Sequence, residues 1–295
     1  MISTSSTSQS SKSDLAGLRE GLQERAWVEG KNLLVEYRWA NGDAAQARAH
    51  AAELAGLAPD VIFSGGTVAL NALRDLKVKL PIVFVNITDP VAGGFVSSLA
   101  HPGGNVTGFT PFEYDIGGKW LQLLREAAPG IAHVTLLGDP ANHNFAGFVR
   151  AFIAGAKTLN VQPTAAAIRN VADIERAIEA ESRTPNGGLI VSASSFSIVS
   201  SDLIVGLASK FRLPAIYWTK THVLGGGLMS YGPDSVAQYH AAADYVDRIL
   251  RGAKPEGLPV QGPTKTDLTI NLKTAKALGL SMPQTVLLQA TEVIR

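Results

Sequence analysis

The stretch IVFVNITDPVAGGFVSSLAHPGGNVTG, residues 82–108, begins like a strand and then turns into a loop. Its β-branched and aromatic opening favours a buried β-strand, which stops at Asn86-Ile87-Thr88-Asp89-Pro90. Because ligands bind outside the carboxyl ends of strands in open parallel sheets, Asn86, Thr88 and Asp89 are predicted to lie at a binding edge. The alternative, in which Thr88-Asp89-Pro90 only caps the next turn, is about equally consistent with the spacing.

Short apolar runs alternate with segments of helical period along nearly the whole chain of 295 residues, and the first of these runs predicts a strand at residues 33–39. This alternation predicts an α/β fold with parallel sheets covered by helices on both faces. The strands are too many for one sheet, so we expect two doubly wound lobes. The first comprises residues 1–111 and 232–258, and the second comprises residues 112–231 and 259–295.

The composition argues against several classes of protein. The 26 basic and 25 acidic residues nearly cancel without a Lys/Arg stripe, which argues against a nucleic-acid partner. The chain has no cysteine and therefore no disulfide. The opening MISTSSTSQSSKSD lacks the apolar core of an export signal, and no window approaches the roughly 20 apolar residues of a membrane span.

A second candidate edge is Ser64-Gly65-Gly66-Thr67, which follows a predicted strand and opens a predicted helix. Glycines let the backbone approach a ligand, and a helix N-terminus favours an anion such as a carboxylate. The motif lacks the Lys-Ser/Thr of a P-loop, so a nucleotide site is only weakly indicated. A plain glycine turn with a Thr67 cap remains the structural alternative.

The second half of the chain has comparable strand ends that offer amides, hydroxyls and aromatic rings. Such a set suits a small polar molecule with an apolar portion. A lone aromatic residue at a strand end is more often core, but the coincidence with polar neighbours favours a site. The candidate ligand-binding residues here are Asn142, Asn144, Ser194, Phe196, Tyr217 and Trp218.

No reactive centre is evident in the sequence. The six histidines show no metal-ligand spacing, and no Gly-x-Ser-x-Gly elbow marks a nucleophile. Most of the histidines are expected at the surface or in caps, and His143 is the one candidate near the binding edge. The prediction is therefore a binding protein without catalytic residues, metal or cofactor.

Five stretches resemble the ABC-transporter substrate-binding proteins of the tryptophan/tyrosine type. They are WVEGKNLLVEYRWANGD, LPIVFVNITDPVAGGFVSSLAHPGGNVTGF, KWLQLLREAAPGI, LPAIYWTKTHVLGGGLMSYGPD and RILRGAKPEGLPVQGPTKTDLTINLKTAKALGLSMPQ. The resemblance implies the type I periplasmic-binding-protein fold, with three crossovers between lobes. It implies that the protein captures a small solute, such as an aromatic amino acid, in the cleft between the lobes. It also implies that the protein works outside the cytoplasm and delivers the solute to a membrane permease.

The same resemblance assigns roles to particular residues. A bound amino acid would place its carboxylate on the helix end at Thr67 and its ammonium group on Asp89. Its side chain would face Phe196, Tyr217 or Trp218.

The N-terminus departs from this family. Family members have a full first strand followed by a Ser-rich loop that lines the cleft, and here Ser5 and Ser6 match the loop while most of the strand is missing. A start codon assigned too far downstream, a trimmed chain and a true truncation all fit this departure, and we favour the first.

Two other classes remain as alternatives at this stage. An α/β enzyme acting on a phosphorylated or nucleotide substrate would use Gly65-Gly66-Thr67 as a phosphate cradle, but it needs an acid/base pair that the sequence does not offer. The sensing core of a lac-repressor-like regulator would need a helix-turn-helix ahead of Asp14.

Overall fold

The chain folds into two compact units, each built from two separate segments. The computed structural model describes residues 2–3, 9–111, 114–142, 144–263 and 266–295. Unit 1 comprises Met1–Phe112 and Asp234–Thr264, and unit 2 comprises Glu113–Pro233 and Lys265–Arg295. The chain therefore passes three times from one unit to the other.

Unit 1 is a five-stranded parallel sheet with helices on both faces. Its strands are β1 (Ile2–Ser3), β2 (Arg38–Trp39), β3 (Ile62–Gly65), β4 (Ile82–Val85) and β5 (Val106–Phe109), in the order β2-β1-β3-β4-β5. Its helices are α1 (Gln9–Glu24), α2 (Ala44–Gly56), α3 (Thr67–Asp75) and, after the return of the chain, α10 (Ser235–Leu250) with a 3₁₀ turn at Pro255–Gly257.

The faces of this sheet follow the two-residue period of its strands. In β4, Ile82 and Phe84 pack in the cluster that contains Leu54 of α2, whereas Val83 and Val85 pack with Tyr239 of α10. Every residue of β4 is buried, as expected for a parallel strand covered on both faces. The opening of residues 82–108 is thus a buried strand, as predicted.

Unit 2 is a seven-stranded mixed sheet with the order β12-β11-β10-β9-β8-β6-β7. Its strands are β6 (His133–Gly138), β7 (Gln162–Ala167), β8 (Gly187–Val191), β9 (Ala215–Tyr217), β10 (Met229–Pro233), β11 (Thr266–Asn271) and β12 (Glu292–Ile294). Its helices are α4 (Ile116–Ala127), α5 (Phe145–Leu159), α6 (Val171–Ser182), α7 (Ser195–Val199), α8 (Ser201–Lys210), α9 (Lys220–Leu224), α11 (Leu272–Ala277) and α12 (Gln284–Leu287). Only β11 runs antiparallel to its neighbour β10.

The two units share one winding order. In unit 1 the first five strands are arranged 2-1-3-4-5, and β6 to β10 repeat that arrangement in unit 2. In this order the winding reverses between the first and third strands, and ligands bind at the carboxyl ends beside that point. The doubly wound α/β prediction is confirmed. By this rule, the candidate binding loops are those after β1, β3 and β4 in unit 1 and those after β6, β8 and β9 in unit 2.

The first strand of unit 1 is very short and occupies the centre of the sheet. Ile2 pairs with Arg38 on one side and with Ser64 on the other, and Ser3 pairs with Trp39 and Gly65. The predicted strand at residues 33–39 is reduced to Arg38–Trp39, because only these residues lie opposite β1.

The units divide the chain at three places that each differ from the predicted lobe boundaries, and two of these differences involve described residues. Residues 259–263 belong to unit 1, because Val260 N donates to Leu99 O at 2.7 Å and Gln261 N donates to Gly108 O at 3.0 Å. Residues 232–233 belong to unit 2, because they extend β10 along β11. Hydrophobic periodicity did not predict these two boundaries, because both segments are short and rich in Pro and Gly.

Within the described residues, none of the helices has the length and apolar character needed to cross a membrane.

Candidate functional site

The turn from β3 into α3 forms the first part of the candidate site in unit 1. Gly66 has φ +86°, a conformation that glycine adopts at little cost, and it precedes the first residue of α3 without a side-chain cap. Ser64 is fully buried, and its Oγ has no hydrogen-bond partner among the described residues. A buried hydroxyl without a partner is costly, so Ser64 Oγ is a candidate for a hydrogen bond to a ligand.

Asn86 forms the second part, one strand away. It sits directly after β4 with φ +59°, in the left-handed region that Asn tolerates. Gln238 of α10 fixes this backbone, because its Oε1 accepts from Asn86 N at 3.3 Å while its Nε2 donates to Thr110 O at 3.0 Å. The buried Asn86 Oδ1 has no partner in the part of the chain that the structure describes.

Thr88 and Asp89 complete this loop. Thr88 is buried, and Asp89 is half-buried with φ +45°. The Asp89 Oδ1 accepts from Ala92 N at 2.9 Å, so the capping role considered for this segment is present. A carboxylate that caps a turn with one oxygen can still offer the other oxygen to a cation.

The edge of unit 1 therefore brings hydrogen-bond donors next to acceptors. Gly65 pairs with Val85, so the loops after β3 and β4 begin side by side, about 4.8 Å apart. The α3 end and the Ser64 hydroxyl offer N–H and O–H groups, and Asn86 and Asp89 offer oxygens. Such an edge suits a molecule with an anionic and a cationic group on neighbouring atoms.

In unit 2 the two asparagines mainly organise the loop after β6. Asn142 Nδ2 donates to Ala193 O at 3.0 Å, which ties this loop to the one after β8, and its Oδ1 accepts from Asn144 N at 3.1 Å. Asn144 is buried, and its Oδ1 accepts from Tyr114 Oη at 2.9 Å. Both amide side chains therefore hold the loop after β6 in place, and Asn142 is the more accessible of the two.

The loops after β8 and β9 are joined through Ser197. Ser194 caps α7 by accepting from Ser197 N at 3.0 Å, and Trp218 Nε1 donates to Ser197 Oγ at 3.2 Å. Trp218 and Phe196 are both partly exposed, and Phe196 also packs against the core of unit 2. This arrangement holds the indole ring at the carboxyl end of the sheet.

One sequence expectation for unit 2 needs correction. The Tyr217 ring is buried in the core and stacks on His222 with the ring centroids 4.8 Å apart, so we remove Tyr217 from the set of ligand contacts. His222 is a core residue as well, which the expectation for most of the histidines did not single out. A strand end of three residues, Ala215–Tyr217, gave no means of telling the core ring from its partly exposed neighbour Trp218.

Sequence reasoning missed the residues that hold the site in place. Gln238 lies on a long helix with no local motif, and its role depends on contacts more than 100 positions away in the sequence. Ser5, Ser6 and His143 lie outside the described residues. Among the described residues, no three His, Asp or Glu side chains gather to hold a metal ion.

Comparison with known proteins decides the family. The chain matches the ABC transporter substrate binding protein family over residues 5–294. The chain belongs to that family. It is 26% identical over 270 residues to the tyrosine-binding protein of Clostridioides difficile strain R20291, covering 90% of this chain and 76% of that protein.

Solved structures agree on the fold of this substrate-binding protein. A conserved domain protein from Vibrio cholerae is 27% identical, with a TM-score of 0.92 and coverage of 99% of this chain and 98% of that one. A domain from Streptococcus pneumoniae, solved in complex with L-Trp, is 22% identical with the same TM-score and coverage. These structures confirm the type I periplasmic-binding-protein fold. Membership of the substrate-binding family confirms the prediction of a solute receptor and gives no support to the enzyme alternative.

The buried His222 generates a prediction about pH. Burial lowers its pKa from 6.5 to about 4, against the opposing effect of the Ser197 carbonyl oxygen, which lies 3.1 Å from Nε2. Between these two pKa values the unfolded chain binds a proton that the folded chain does not, so the free energy of unfolding falls as the pH is lowered from 6.5 to 4. The loss is about 3 kcal/mol.

Denaturant unfolding at a series of pH values measures this loss. His222→Gln is expected to flatten the pH dependence over this window. An unchanged slope in His222→Gln would show that this histidine is not the titrating group.

Proposed function

We propose that this receptor captures a free α-amino acid, with aromatic side chains preferred, and releases it unchanged to a membrane permease. The observation that carries the proposal is the pair of buried, unpartnered atoms Ser64 Oγ and Asn86 Oδ1 at adjoining strand ends. One is a potential donor and the other is an acceptor. An amino acid presents a carboxylate and an ammonium group on the same carbon and would complete both.

The carboxylate is assigned to the end of α3. Backbone N–H groups and the positive end of the helix dipole stabilise an anion at a helix N-terminus. The Ser64 hydroxyl would add one further donor, and Thr67 stands at the first helical position. The absence of a side-chain cap on α3 leaves this end available to a ligand carboxylate.

The ammonium group is assigned to Asn86 and Asp89. A charge-assisted hydrogen bond from the ammonium group to Asp89, together with a neutral one to Asn86 Oδ1, would satisfy two of its three protons. Gln238 and the turn to Ala92 hold these acceptors in place before the ligand arrives. Such preorganisation lowers the cost of binding.

Unit 2, taken by itself, offers apolar surface that suits an aromatic side chain. The partly exposed rings of Phe196 and Trp218 offer apolar faces on which an aromatic ring can stack. Asn142, beside them, can bond a phenolic or indole polar atom. The C. difficile relative named for tyrosine and the S. pneumoniae neighbour solved with L-Trp support this assignment.

The proposal of transport rather than catalysis rests on two observations. Among the described residues, neither edge brings together an acid and a base suited to proton transfer. Family membership also favours delivery of the solute over its chemical conversion. We accordingly place the protein outside the cytoplasm, with an ABC permease as its partner.

Ser64→Ala separates binding from stability. Because the Ser64 hydroxyl has no partner among the described residues, its removal should leave the melting temperature unchanged or raised. The affinity for L-tyrosine or L-tryptophan should fall about tenfold, which corresponds to about 1.4 kcal/mol for one lost hydrogen bond to a charged group. Calorimetric titration and thermal melting measure the two effects.

Ser192→Ala is the matched control for stability. Ser192 is equally buried, but its Oγ donates to Leu137 O at 2.9 Å, so this variant should melt at a lower temperature than the parent. Equal losses of stability in the two variants, or undiminished affinity in Ser64→Ala, would remove Ser64 from the site.

Asp89→Asn tests the ammonium contact. Asn can keep the bond to Ala92 N while losing the charge, so the fold is retained. Loss of one partner of a buried charge pair costs about 2–5 kcal/mol, so the dissociation constant should rise about 30-fold or more. Asp75→Asn, at the exposed far end of α3, is the control and should bind like the parent. Unaltered affinity in Asp89→Asn would exclude this carboxylate.

A further inference from the structure

Three polar side chains of unit 2 are hydrogen-bonded in a line near the amino ends of β6 and β7, away from the candidate ligand edge. His133 is the first residue of β6, Thr164 lies on the neighbouring strand β7, and Glu181 lies in the last turn of α6. We call these residues the Thr-His-Glu triad. His133 is 31 positions from Thr164 and 48 from Glu181, so no local sequence motif indicates the triad.

Glu181 anchors the triad from inside the protein. Only 1% of its side chain is exposed. Its carboxylate accepts hydrogen bonds from Thr135 Oγ1 at 2.6 Å and from Gly188 N at 3.1 Å, and His133 Nδ1 lies 2.8 Å from Oε2. All three partners belong to β6 or β8, so the carboxylate is held in one position by the central strands of the sheet.

This carboxylate fixes the orientation of the His133 ring. A ring nitrogen that lies against a carboxylate carries the proton, so the neutral imidazole has its proton on Nδ1 and a lone pair on Nε2. Nε2 lies 3.1 Å from Thr164 Oγ1. The Thr164 hydroxyl can therefore donate its hydrogen bond to a base that is already oriented to receive the proton.

The order of these groups is that of an activated hydroxyl nucleophile. Such a nucleophile needs a hydroxyl, an imidazole within hydrogen-bond reach and a third group that orients the imidazole. This geometry, rather than position in the sequence, defines the site, and it recurs on unrelated folds. A purely structural pair of Glu181 and His133 would satisfy the buried carboxylate without a hydroxyl group on the far side of the ring.

Reagents in solution can reach the hydroxyl end of the triad. Thr164 is exposed, and 23% of the His133 side chain is exposed. β7 is an edge strand of the described sheet. Gln162 N and Ile168 N donate toward β6, so by the alternation of a strand Ala165 N faces the outer side. The N–H of the residue after a nucleophile is a common donor to the oxyanion that forms in acyl transfer.

We propose that Thr164 is an activated nucleophile that accepts an acyl group from an activated ester. Its Oγ1 forms a bond to the carbonyl carbon while His133 Nε2 takes the hydroxyl proton. The bond from the carbonyl carbon to the leaving oxygen then breaks, and this oxygen takes the proton from His133. The products are an acylated threonine and a free alcohol or phenol. Glu181 touches no reacting atom and is a positioning residue. The inference does not depend on the identity of the solute.

Acetylation by p-nitrophenyl acetate tests the proposal on the parent chain. Peptide mass spectrometry locates the acetyl group. Thr158 is the internal control, because it is an exposed threonine whose hydroxyl donates to Ala154 O at 3.3 Å and has no imidazole partner. Acetylation at Thr164 should be about 100-fold faster than at Thr158 or more, which is the usual contribution of a positioned general base. Equal rates at the two threonines, or no acetyl group on Thr164, would overturn the proposal.

Three variants separate the roles within the triad. Thr164→Val keeps the shape of the side chain and should remove the fast phase of p-nitrophenolate release. Thr164→Ser keeps the hydroxyl and should retain acetylation at this position. Glu181→Gln keeps the volume but donates to Nδ1, which moves the ring proton to Nε2, so acetylation of Thr164 should fall about 100-fold or more.

The melting temperature of each variant is measured alongside the rate. Fast release that persists in Thr164→Val would assign the reaction to another group and overturn the proposal. Unchanged acetylation of Thr164 in a folded Glu181→Gln variant would overturn activation by the triad. The comparison of Thr164 with Thr158 uses the parent chain, so it holds even where substitution of the buried Glu181 prevents folding.

Discussion

The pairing of Ile2 and Ser3 between two neighbouring strands is the contact on which unit 1 depends. These two residues reach the carboxyl ends of β2 and β3, where Ser64 and Gly65 begin the turn into α3. Because the pairing lies at that end, the edge assigned to the solute keeps a central strand beside it.

The ligand edge combines order with unsatisfied polar groups. Gln238 and the cap from Asp89 to Ala92 fix the backbone after β4, yet Ser64 Oγ and Asn86 Oδ1 remain buried without partners among the described residues. Folding would favour satisfying or removing such groups, since each costs free energy. A ligand that bonds to both, as proposed, would recover that cost on binding. In that proposal, function and stability oppose each other at these two residues.

Local sequence patterns predicted most of the architecture. The run IVFV forms a strand because its alternating side chains fill the two cores of unit 1, and Asp43 begins α2 because its carboxylate accepts from Gln46 N at 2.8 Å. The strand expected at residues 33–39 was mostly absent, because pairing depends on a neighbour far away in the sequence. The lobe boundaries at residues 232 and 259 shifted for the same reason.

The candidate site was predictable only in part. Strand ends led to the prediction of Ser64, Asn86 and Asp89, and the structure does bring these residues to one edge of unit 1, because the position of a loop at a parallel sheet edge follows from chain order. The separation of Trp218 from the core residue Tyr217, and the role of Gln238, required the packing of the folded unit. Whether a polar side chain faces a ligand or caps a turn depends on its hydrogen bonds, which spacing does not specify.

Amide hydrogen exchange with and without L-tyrosine tests the central claim most directly. The account predicts slower exchange at residues 64–69 and 86–89 of unit 1 and, in the same sample, at residues 192–197 and 218 of unit 2. Protection confined to other surfaces, or unaltered exchange at a saturating concentration of every aromatic amino acid, would contradict the assignment of these edges to an amino acid.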